Sequence, residues 1–500
     1  MPAVPPSRRR PLAAAAAALL VVLAACSGGG GEDDVAARPD DDRPNVVVVM
    51  TDDQTLAEMS SMPRTRELLG GANGTTFVNA FAPYSLCCPA RATMLTGQYA
   101  HNHHVLDNVS PNGGENLDQT TTLPTWLHDA GYQTGMVGKY LNGYGEDIDP
   151  VVPPGWDDWF ALKDPETLKY FGFTAIDGGE EVQFGEDEYQ TDVLGDRAVA
   201  DIERFAADGR PFYLSVWVSA PHSGQGKGVP NPISPAAAPR HAQLFPDLRA
   251  PRGEAFMEAD ISDKPPAVTG ARAKVDAVLA ERGIDQSGLE AMIDQTWRTR
   301  AQSLVAVDEL VVRLVDALEA EGVLDDTVIL FTSDNGWLIG EHAVPFAKVL
   351  PYEESIRVPL LVRGPGFPGG ATPLQPVGHH DIAVTIAAMA EATPTITTDG
   401  RDLLEVVADP AAQRDRAILL QSQTSDEKYF GVRTPGWTYI EWESGFVELY
   451  DLFADPNQLE NAAGEPAVAK AQARLAQALD ELRGCAGASC QVTIPGGELR

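Results

Sequence analysis

Val46-Val47-Val48-Val49-Met50-Thr51-Asp52-Asp53-Gln54 decides how this chain is read. Five consecutive apolar residues without polar alternation predict a strand covered on both faces, as in a parallel sheet packed between helices. Two carboxylates follow at once, where a strand's carboxyl end opens onto the ligand-binding edge of such a sheet. A second run of the same build, Val328-Ile329-Leu330-Phe331, leads into Thr332-Ser333-Asp334-Asn335-Gly336. A third, Phe212-Tyr213-Leu214-Ser215-Val216-Trp217-Val218, stops just before Ala220-Pro221-His222, and Val358-Pro359-Leu360-Leu361-Val362 is a fourth. Leu304, Val307, Leu310, Leu314 and Leu318 fall three or four apart, an amphipathic helix that feeds the strand at Val328. Strands alternating with helices imply an α/β fold: a large, mostly parallel sheet flanked by helices.

After about Arg416 the texture changes. Tyr429-Phe430-Gly431-Val432-Arg433, Trp437-Thr438-Tyr439-Ile440-Glu441-Trp442 and Phe446-Val447-Glu448-Leu449-Tyr450 are short runs split by Pro-Gly and Ser-Gly turns, followed by a helical pattern over about 467–482. These predict a small antiparallel sheet with one covering helix. At the other end, Arg8, Arg9 and Arg10 precede an Ala/Leu/Val run over residues 12–25, too short to span a bilayer. It reads as an export signal. Its end, Leu23-Ala24-Ala25-Cys26, resembles a bacterial lipobox, in which the cysteine is acylated and becomes the new N-terminus; the alternative is a plain secretory signal with an incidental cysteine. The expected organisation is therefore a lipoprotein signal peptide over 1–25, a Gly- and Asp-rich tether over 26–43, the α/β domain over 44–415, a C-terminal subdomain over 416–483, and a tail over 484–500. In that tail a Cys485–Cys490 disulfide is plausible for an exported chain.

Composition narrows the function classes. The 500 residues are 44% hydrophobic and 22% charged, ordinary for a globular protein and unlike disordered, collagenous or coiled-coil chains. With 37 Lys plus Arg against 72 Asp plus Glu, the net charge is −35, which argues against a general nucleic-acid binder. An anionic substrate stays possible, since a local basic pocket or a metal can dominate its own site. If the two strand ends converge, Asp52, Asp53, Asp334 and the Asn335 amide oxygen form a hard ligand set for Ca²⁺ or Mg²⁺. The alternative is that each Asp caps the helix after it.

Cys87-Cys88-Pro89-Ala90-Arg91-Ala92-Thr93-Met94-Leu95-Thr96-Gly97 resembles the signature of the type I sulfatases, the formylglycine-dependent branch of the alkaline-phosphatase superfamily. Gly131-Tyr132-Gln133-Thr134-Gly135-Met136-Val137-Gly138-Lys139 resembles the second signature of that family, and Ala220-Pro221-His222, Asp334-Asn335 and Lys348 follow in the family's order. The resemblance runs from about Arg43 to Ala463. Two departures matter: Ala90 stands where many members carry Ser, and Leu141 stands where many carry a histidine two residues after the lysine. The second departure is similar to the branch of N-acetylglucosamine-6-sulfatases and extracellular heparan 6-O-endosulfatases, as are Cys87-Cys88-Pro89, His101-Asn102-His103-His104-Val105 and Val152-Pro153-Pro154-Gly155-Trp156-Asp157-Asp158-Trp159.

The resemblance implies a sulfuric ester hydrolase acting on a sulfated sugar or related organic sulfate. It implies that Cys87 is oxidised to formylglycine by a formylglycine-generating enzyme, that Arg91 holds the modified side chain, and that Lys139, Lys348 and His222 meet the sulfate. Asp52, Asp53, Asp334, Asn335 and the converted Cys87 would hold the cation. The chemistry is coherent: a hydrated aldehyde offers two hydroxyls, one to attack sulfur and a second to expel sulfate by restoring the aldehyde. Two other readings share the residues. One is a phosphonate or phosphodiester hydrolase of the same superfamily. The other is a surface lipoprotein that binds sulfated glycans without turnover. The expected location is the extracytoplasmic face of a bacterial membrane, held there by lipid on Cys26. His101, His103 and His104 are read as substrate-pocket or packing residues, because ring directions alternate along so short a run and do not converge on zinc. Residues 223–294, rich in proline and mixed charges, are read as an excursion near His222 that shapes the substrate pocket.

Overall fold

A computed structural model describes residues 41–409, 411–412, 414–424 and 428–499. The expected signal peptide, Cys26 and all but the last residues of the tether lie outside the described residues. The strands, in chain order, are β1 (Asn45–Thr51), β2 (Thr75–Thr76), β3 (Ala80–Phe81), β4 (Gln133–Gly138), β5 (Asp158–Leu162), β6 (Thr174–Asp177), β7 (Glu180–Gln183), β8 (Phe212–Trp217), β9 (Thr327–Ser333), β10 (Leu360–Arg363) and β11 (Val377–Gly378). A further four are β12 (Ile418–Gln423), β13 (Lys428–Arg433), β14 (Trp437–Trp442) and β15 (Val447–Asp451).

Nine of them form one mixed sheet in the order β2-β10-β9-β1-β8-β4-β5-β6-β7. Its middle, β9-β1-β8-β4-β5, is parallel throughout. The pure valine run of β1 is explained by its place at the centre of that block. Val46, Val48 and Met50 pack with Val328, Leu330, Leu95, Ile382 and Ile386 on one face. Val47 and Val49 pack with Ile329, Phe331, Leu194, Ile202, Leu304 and Val307 on the other. Complete burial of each such side chain contributes about 1.5–3 kcal/mol. Helices Cys87–Thr96 and His379–Met389 cover the first face, and Gln190–Asp208 and Gln286–Ala320 the second.

The fourth apolar run departs from expectation. It forms β10, which pairs antiparallel to β9. A parallel partner needs a crossover to the opposite edge, usually through a helix. Here only loop and the single turn Glu353–Ile356 separate β9 from β10, so the chain re-enters at the edge it left. The expected helix at Leu304–Leu318 is the second half of the longer helix Gln286–Ala320. That helix opens inside the 223–294 excursion, which also contains the helix Pro266–Arg282.

The last four strands make an antiparallel sheet in chain order. One face, with Val432, Trp437, Tyr439 and Leu449, is covered by Leu475, Leu479 and Leu482 of helix Ala469–Leu482. The other, with Ile418, Leu420, Ile440 and Tyr450, packs on Phe81, Tyr352 and Ile356. Cys485 and Cys490 are joined as a disulfide, and the residues after it return along the small sheet, where Ile494 N–H donates to the Asp415 carbonyl at 2.8 Å.

Candidate active site

Because β1, β8, β9 and β4 run parallel, four loops that follow them leave the sheet at one edge. Register sets them abreast: Thr51 lies opposite Ser333, Met50 opposite Trp217, and Gly138 opposite Trp217. Asp52 and Asp53 therefore meet Asp334 and Asn335, His222 arrives from β8, and Lys139 from β4. Gly138 is required for that last approach: its φ is +112°, and a Cβ there would lie 2.0 Å from the Trp217 carbonyl oxygen. Helix Cys87–Thr96 brings Cys87, at its first residue, to the same edge.

The capping alternative for the aspartates is excluded by their contacts. After β1 it is Glu58 that accepts the Thr55 N–H, at 2.9 Å. Asp52 Oδ1 instead faces the Cys87 thiol at 3.4 Å, and Asp52 Oδ2 accepts from Lys139 Nζ and from Arg91 Nη2 at 3.3 Å. Asp53 Oδ1 accepts from Lys348 Nζ at 2.6 Å and from Asn335 Nδ2 at 2.6 Å. Lys348 also donates to Cys87 Sγ at 2.9 Å. Asp334 is turned elsewhere, its Oδ2 onto Arg91 at 2.8 and 3.0 Å and its Oδ1 onto the Asp53 N–H at 3.0 Å. The nine residues expected at the catalytic and metal site thus lie together, seven of them buried and His222 and Lys348 partly exposed.

Three features test whether a cation fits. Asp53 Oδ2 and Asn335 Oδ1 are buried without a hydrogen-bond partner. His222 Nδ1 lies 2.7 Å from the Ser223 carbonyl, which can only accept, so in the neutral ring the lone pair is on Nε2. That Nε2 faces Asp53 Oδ2 at 3.4 Å, acceptor toward acceptor, an arrangement that a proton or a cation between them would satisfy. Ligating atoms of Asp52, Asp53, Cys87 and His222 lie within 4.8 Å of one another, and the two carboxylate oxygens among them, with the orphaned Asn335 amide oxygen, suit a hard divalent ion. The residues fit the group.

Electrostatics follow from burial and neighbours. Burial opposes the charge of Asp52, yet Lys139, His222, Arg91 and Lys348 hold its carboxyl far below the usual range. Burial, then the Asp52 charge, push Asp334 up to about 6 against Arg91 and Lys139. Burial and the Asp52 charge likewise push the Cys87 thiol up to about 12, despite Lys139 and Lys348. An unconverted Cys87 is therefore a neutral thiol and a poor nucleophile at neutral pH. Burial lowers His222, with Asp53 and Asp52 opposing, so the ring is neutral at rest.

Other motif residues are structural. His101 Nε2 bonds the Cys485 carbonyl at 2.9 Å and His103 Nε2 the Thr93 hydroxyl at 3.0 Å, which is the packing role rather than a pocket role. Leu141 is buried in the core beside Gly114. Cys88 stays a free, buried thiol, and its N–H is accepted by Asn108 Oδ1 at 2.8 Å, which caps the helix that its own preceding residue, Leu86, does not. Sequence reasoning missed Arg300 and Glu58, a buried ion pair beneath the Asp53 turn. A signal existed: Arg300 continues the stripe Leu304, Val307, Val311 and Leu314, so it puts a charge on the buried face of its helix.

The parallel sheet, the strand-end carboxylates and the buried cysteine at a helix start define a hydrolase of the alkaline-phosphatase type. The family model described as Sulfatase matches residues 44–392, and that described as N-sulphoglucosamine sulphohydrolase, C-terminal, matches 340–484. The chain belongs to the sulfatase family and is a sulfuric ester hydrolase. It is 32% identical to the N-acetylglucosamine-6-sulfatase of Homo sapiens, over 88% of this chain and 85% of that one. It is 29% identical to the N-acetylglucosamine-6-O-sulfatase of Bacteroides thetaiotaomicron, over 86% and 85%. A solved protein in complex with its substrate D-glucosamine-2-N,6-O-disulfate superposes with TM-score 0.73 at 26% identity, covering 88% of this chain and 97% of that one.

Proposed function

We propose that this protein removes the 6-O-sulfate of a glucosamine residue, through a formylglycine made from Cys87 and a bound divalent cation, Ca²⁺ or Mg²⁺. The observation that carries the reading is the place of Cys87. Its Sγ, standing where an oxygen of the converted side chain would be, is met by Lys348 at 2.9 Å and Asp52 at 3.4 Å at the floor of a cluster with two orphaned oxygens. The substrate class is supported by relatives named as N-acetylglucosamine-6-sulfatases and by the disulfated glucosamine bound in the similar structure.

Asp52, Asp53, Asp334 and Asn335 would hold the cation with the converted Cys87. When bound, the cation lowers the cost of an oxyanion and polarises sulfate oxygens. Formylglycine supplies the hydroxyl nucleophile that the neutral thiol does not. Arg91, with five hydrogen bonds spread over Asp334, Asp52 and the Lys139 and Tyr140 carbonyls, keeps the floor of the site rigid. Lys139 and Lys348 offset the sulfate charge as it shifts to the leaving oxygen. His222 Nε2 carries the lone pair of the neutral ring, so it would first take up a proton and then return one to the leaving oxygen; the hydrocarbon Leu141 can do neither. Three carboxylates already face three cationic side chains, so a divalent cation and a singly charged sulfate ester would together add one net positive charge, which favours ionisation of the attacking hydroxyl.

The same reading places the mature protein outside the cytoplasmic membrane, anchored through acylated Cys26 after maturation by a formylglycine-generating enzyme. The test is a mass spectrum of the peptide that runs from Glu67 to Arg91 in protein from its native envelope, and of the mature N-terminus. Alongside it runs a panel of 6-O-sulfated, 4-O-sulfated and aryl sulfates and a phosphonate monoester. The expected result is an aldehyde at Cys87, lipid on Cys26 and release of the 6-O-sulfate first. An intact thiol in protein that still turns over sulfate sinks the nucleophile, and preference for the phosphonate sinks the substrate.

A further inference from the structure

We propose that Arg300 is a positioning residue of this site: its guanidinium sets the Asp53 turn and the His222 loop relative to each other, and the cation site with them. The inference rests on the function proposed above.

Arg300 projects from helix Gln286–Ala320 into the sheet edge beneath the site and is 1% exposed. Nε and Nη2 donate to the two carboxylate oxygens of Glu58 at 2.6 and 2.7 Å. The rest of the fork reaches two backbone carbonyls on different strand ends. Nη2 donates to Asp53 O at 2.5 Å, after β1, and Nη1 to Pro221 O at 3.2 Å, after β8. The guanidinium is planar and its donors have fixed directions, so it ties these acceptors into one plane. A lysine, a point charge with a flexible stem, could satisfy Glu58 or a carbonyl but not the set.

What this holds is itself unusual. Asp53 has φ +67°, the left-handed region that costs a non-glycine residue about 1–2 kcal/mol. The peptides on both sides of Asp53 are pinned, the N–H by Asp334 Oδ1 at 3.0 Å and the carbonyl by Arg300. That conformation aims Oδ1 at Lys348 and Asn335, and leaves Oδ2 facing His222. On the other side, the carbonyl Arg300 takes is the one just before His222, whose N–H closes onto Ser219 O at 2.9 Å. Arg300 also stacks on the Trp337 ring at 5.5 Å, and that ring meets His222 edge-on at 6.1 Å. The guanidinium donates to Glu58, Asp53 and Pro221 and not to Cys87, Lys139 or Lys348, so it acts through Asp53 and His222 rather than on substrate.

The test uses the matured, chelator-stripped full chain, with Ca²⁺ binding followed by titration calorimetry beside kcat, KM and the thermal midpoint. Variants are Arg300→Lys, Glu58→Gln and, as control on the same helix, Arg313→Lys, which pairs with Asp196 at the surface. Loss of a group that orients a metal ligand costs about 10- to 100-fold in metal affinity or activity. Arg300→Lys is expected to weaken Ca²⁺ and lower kcat within that range while KM changes little, with Glu58→Gln showing a smaller effect in the same direction and Arg313→Lys none. Should Arg300→Lys fail to fold, Glu58→Gln carries the same comparison. The inference is overturned if folded variants lose thermal stability but bind Ca²⁺ and turn over as the wild type does. If the wild type itself binds neither Ca²⁺ nor Mg²⁺, the function proposed above fails first and this inference falls with it.

Discussion

Glu448, in the small C-terminal sheet, and Asp53, at the end of β1, are both carboxylates removed from water, and their surroundings differ in kind. Glu448 accepts from Tyr352 Oη at 2.8 Å, Tyr450 Oη at 2.6 Å and Trp442 Nε1 at 2.6 Å, which joins the small sheet to the segment after β9. Asp53 crowds Lys348 and Asn335 onto one oxygen and leaves the other with no hydrogen bond. A buried polar atom without a partner loses its hydration for nothing, about 1–3 kcal/mol for a neutral group and more for a charged one. A ligand to be held is one reason that a fold retains such an atom. On the function proposed above, the satisfied carboxylate is a fastening and the unsatisfied one would hold the cation.

Substitutions can break that distinction. Cys87→Ala is expected to abolish turnover, by about a million-fold on the scale of other removed nucleophiles, with the unfolding midpoint unchanged. Asp53→Asn is expected to lower kcat by about 100- to 1000-fold, the range for loss of one charge-stabilising group, with no loss of stability when both proteins are compared free of cation. A variant that keeps its rate and loses several degrees would place Asp53 with the fastenings. Glu448→Ala should do the reverse. It strands three buried donors, so denaturant unfolding should show about 3–5 kcal/mol lost, while the rate per folded molecule stays at the wild-type value.

Cation removal sharpens the comparison. A chelator should reduce stability by about 2.7 kcal/mol relative to protein held at a hundred times its dissociation constant. That increment should vanish in Asp53→Asn and persist in Glu448→Gln, read as the difference between midpoints with and without Ca²⁺. The smallest effect concerns acid. Asp381 is wholly buried, yet Arg416 and His380 overcome the burial and hold it down to about 2, with Arg416 contacts at 2.6 and 2.9 Å. Its folded value lies below the unfolded one, so this stabilisation is complete above about pH 4 and fades as pH falls toward 2. It amounts to about 2–3 kcal/mol. Asp381→Asn should flatten the slope of unfolding free energy across that window.

Much of this site is legible in the order of the residues alone. Asp52, Asp53, Cys87, Arg91, Lys139, His222, Asp334, Asn335 and Lys348 all come from short runs whose residue order is itself the signal. Lys348 has the weakest sequence context, because a loop of no fixed length separates it from Asn335; only the folded loop puts its Nζ on Cys87. The direction of β10 is not legible, since an apolar run has the same composition whichever way it enters a sheet. Arg300 and Glu58 do not read as a pair because 242 positions separate them: the apolar stripe marks Arg300 as a charge on a buried face but does not name its partner.

The sequence by itself determined the long apolar strands, the carboxylate endings of two of them and the cysteine signature, because burial on both faces selects unbroken apolar runs and a reactive side chain must stand in a particular local turn. Tertiary structure alone decided that Asp334 turns to Arg91, that one oxygen of Asp53 goes unpartnered, and that Arg300 spans two strand ends. Those outcomes depend on angles and desolvation among groups far apart in the chain, and no local pattern of residues encodes them.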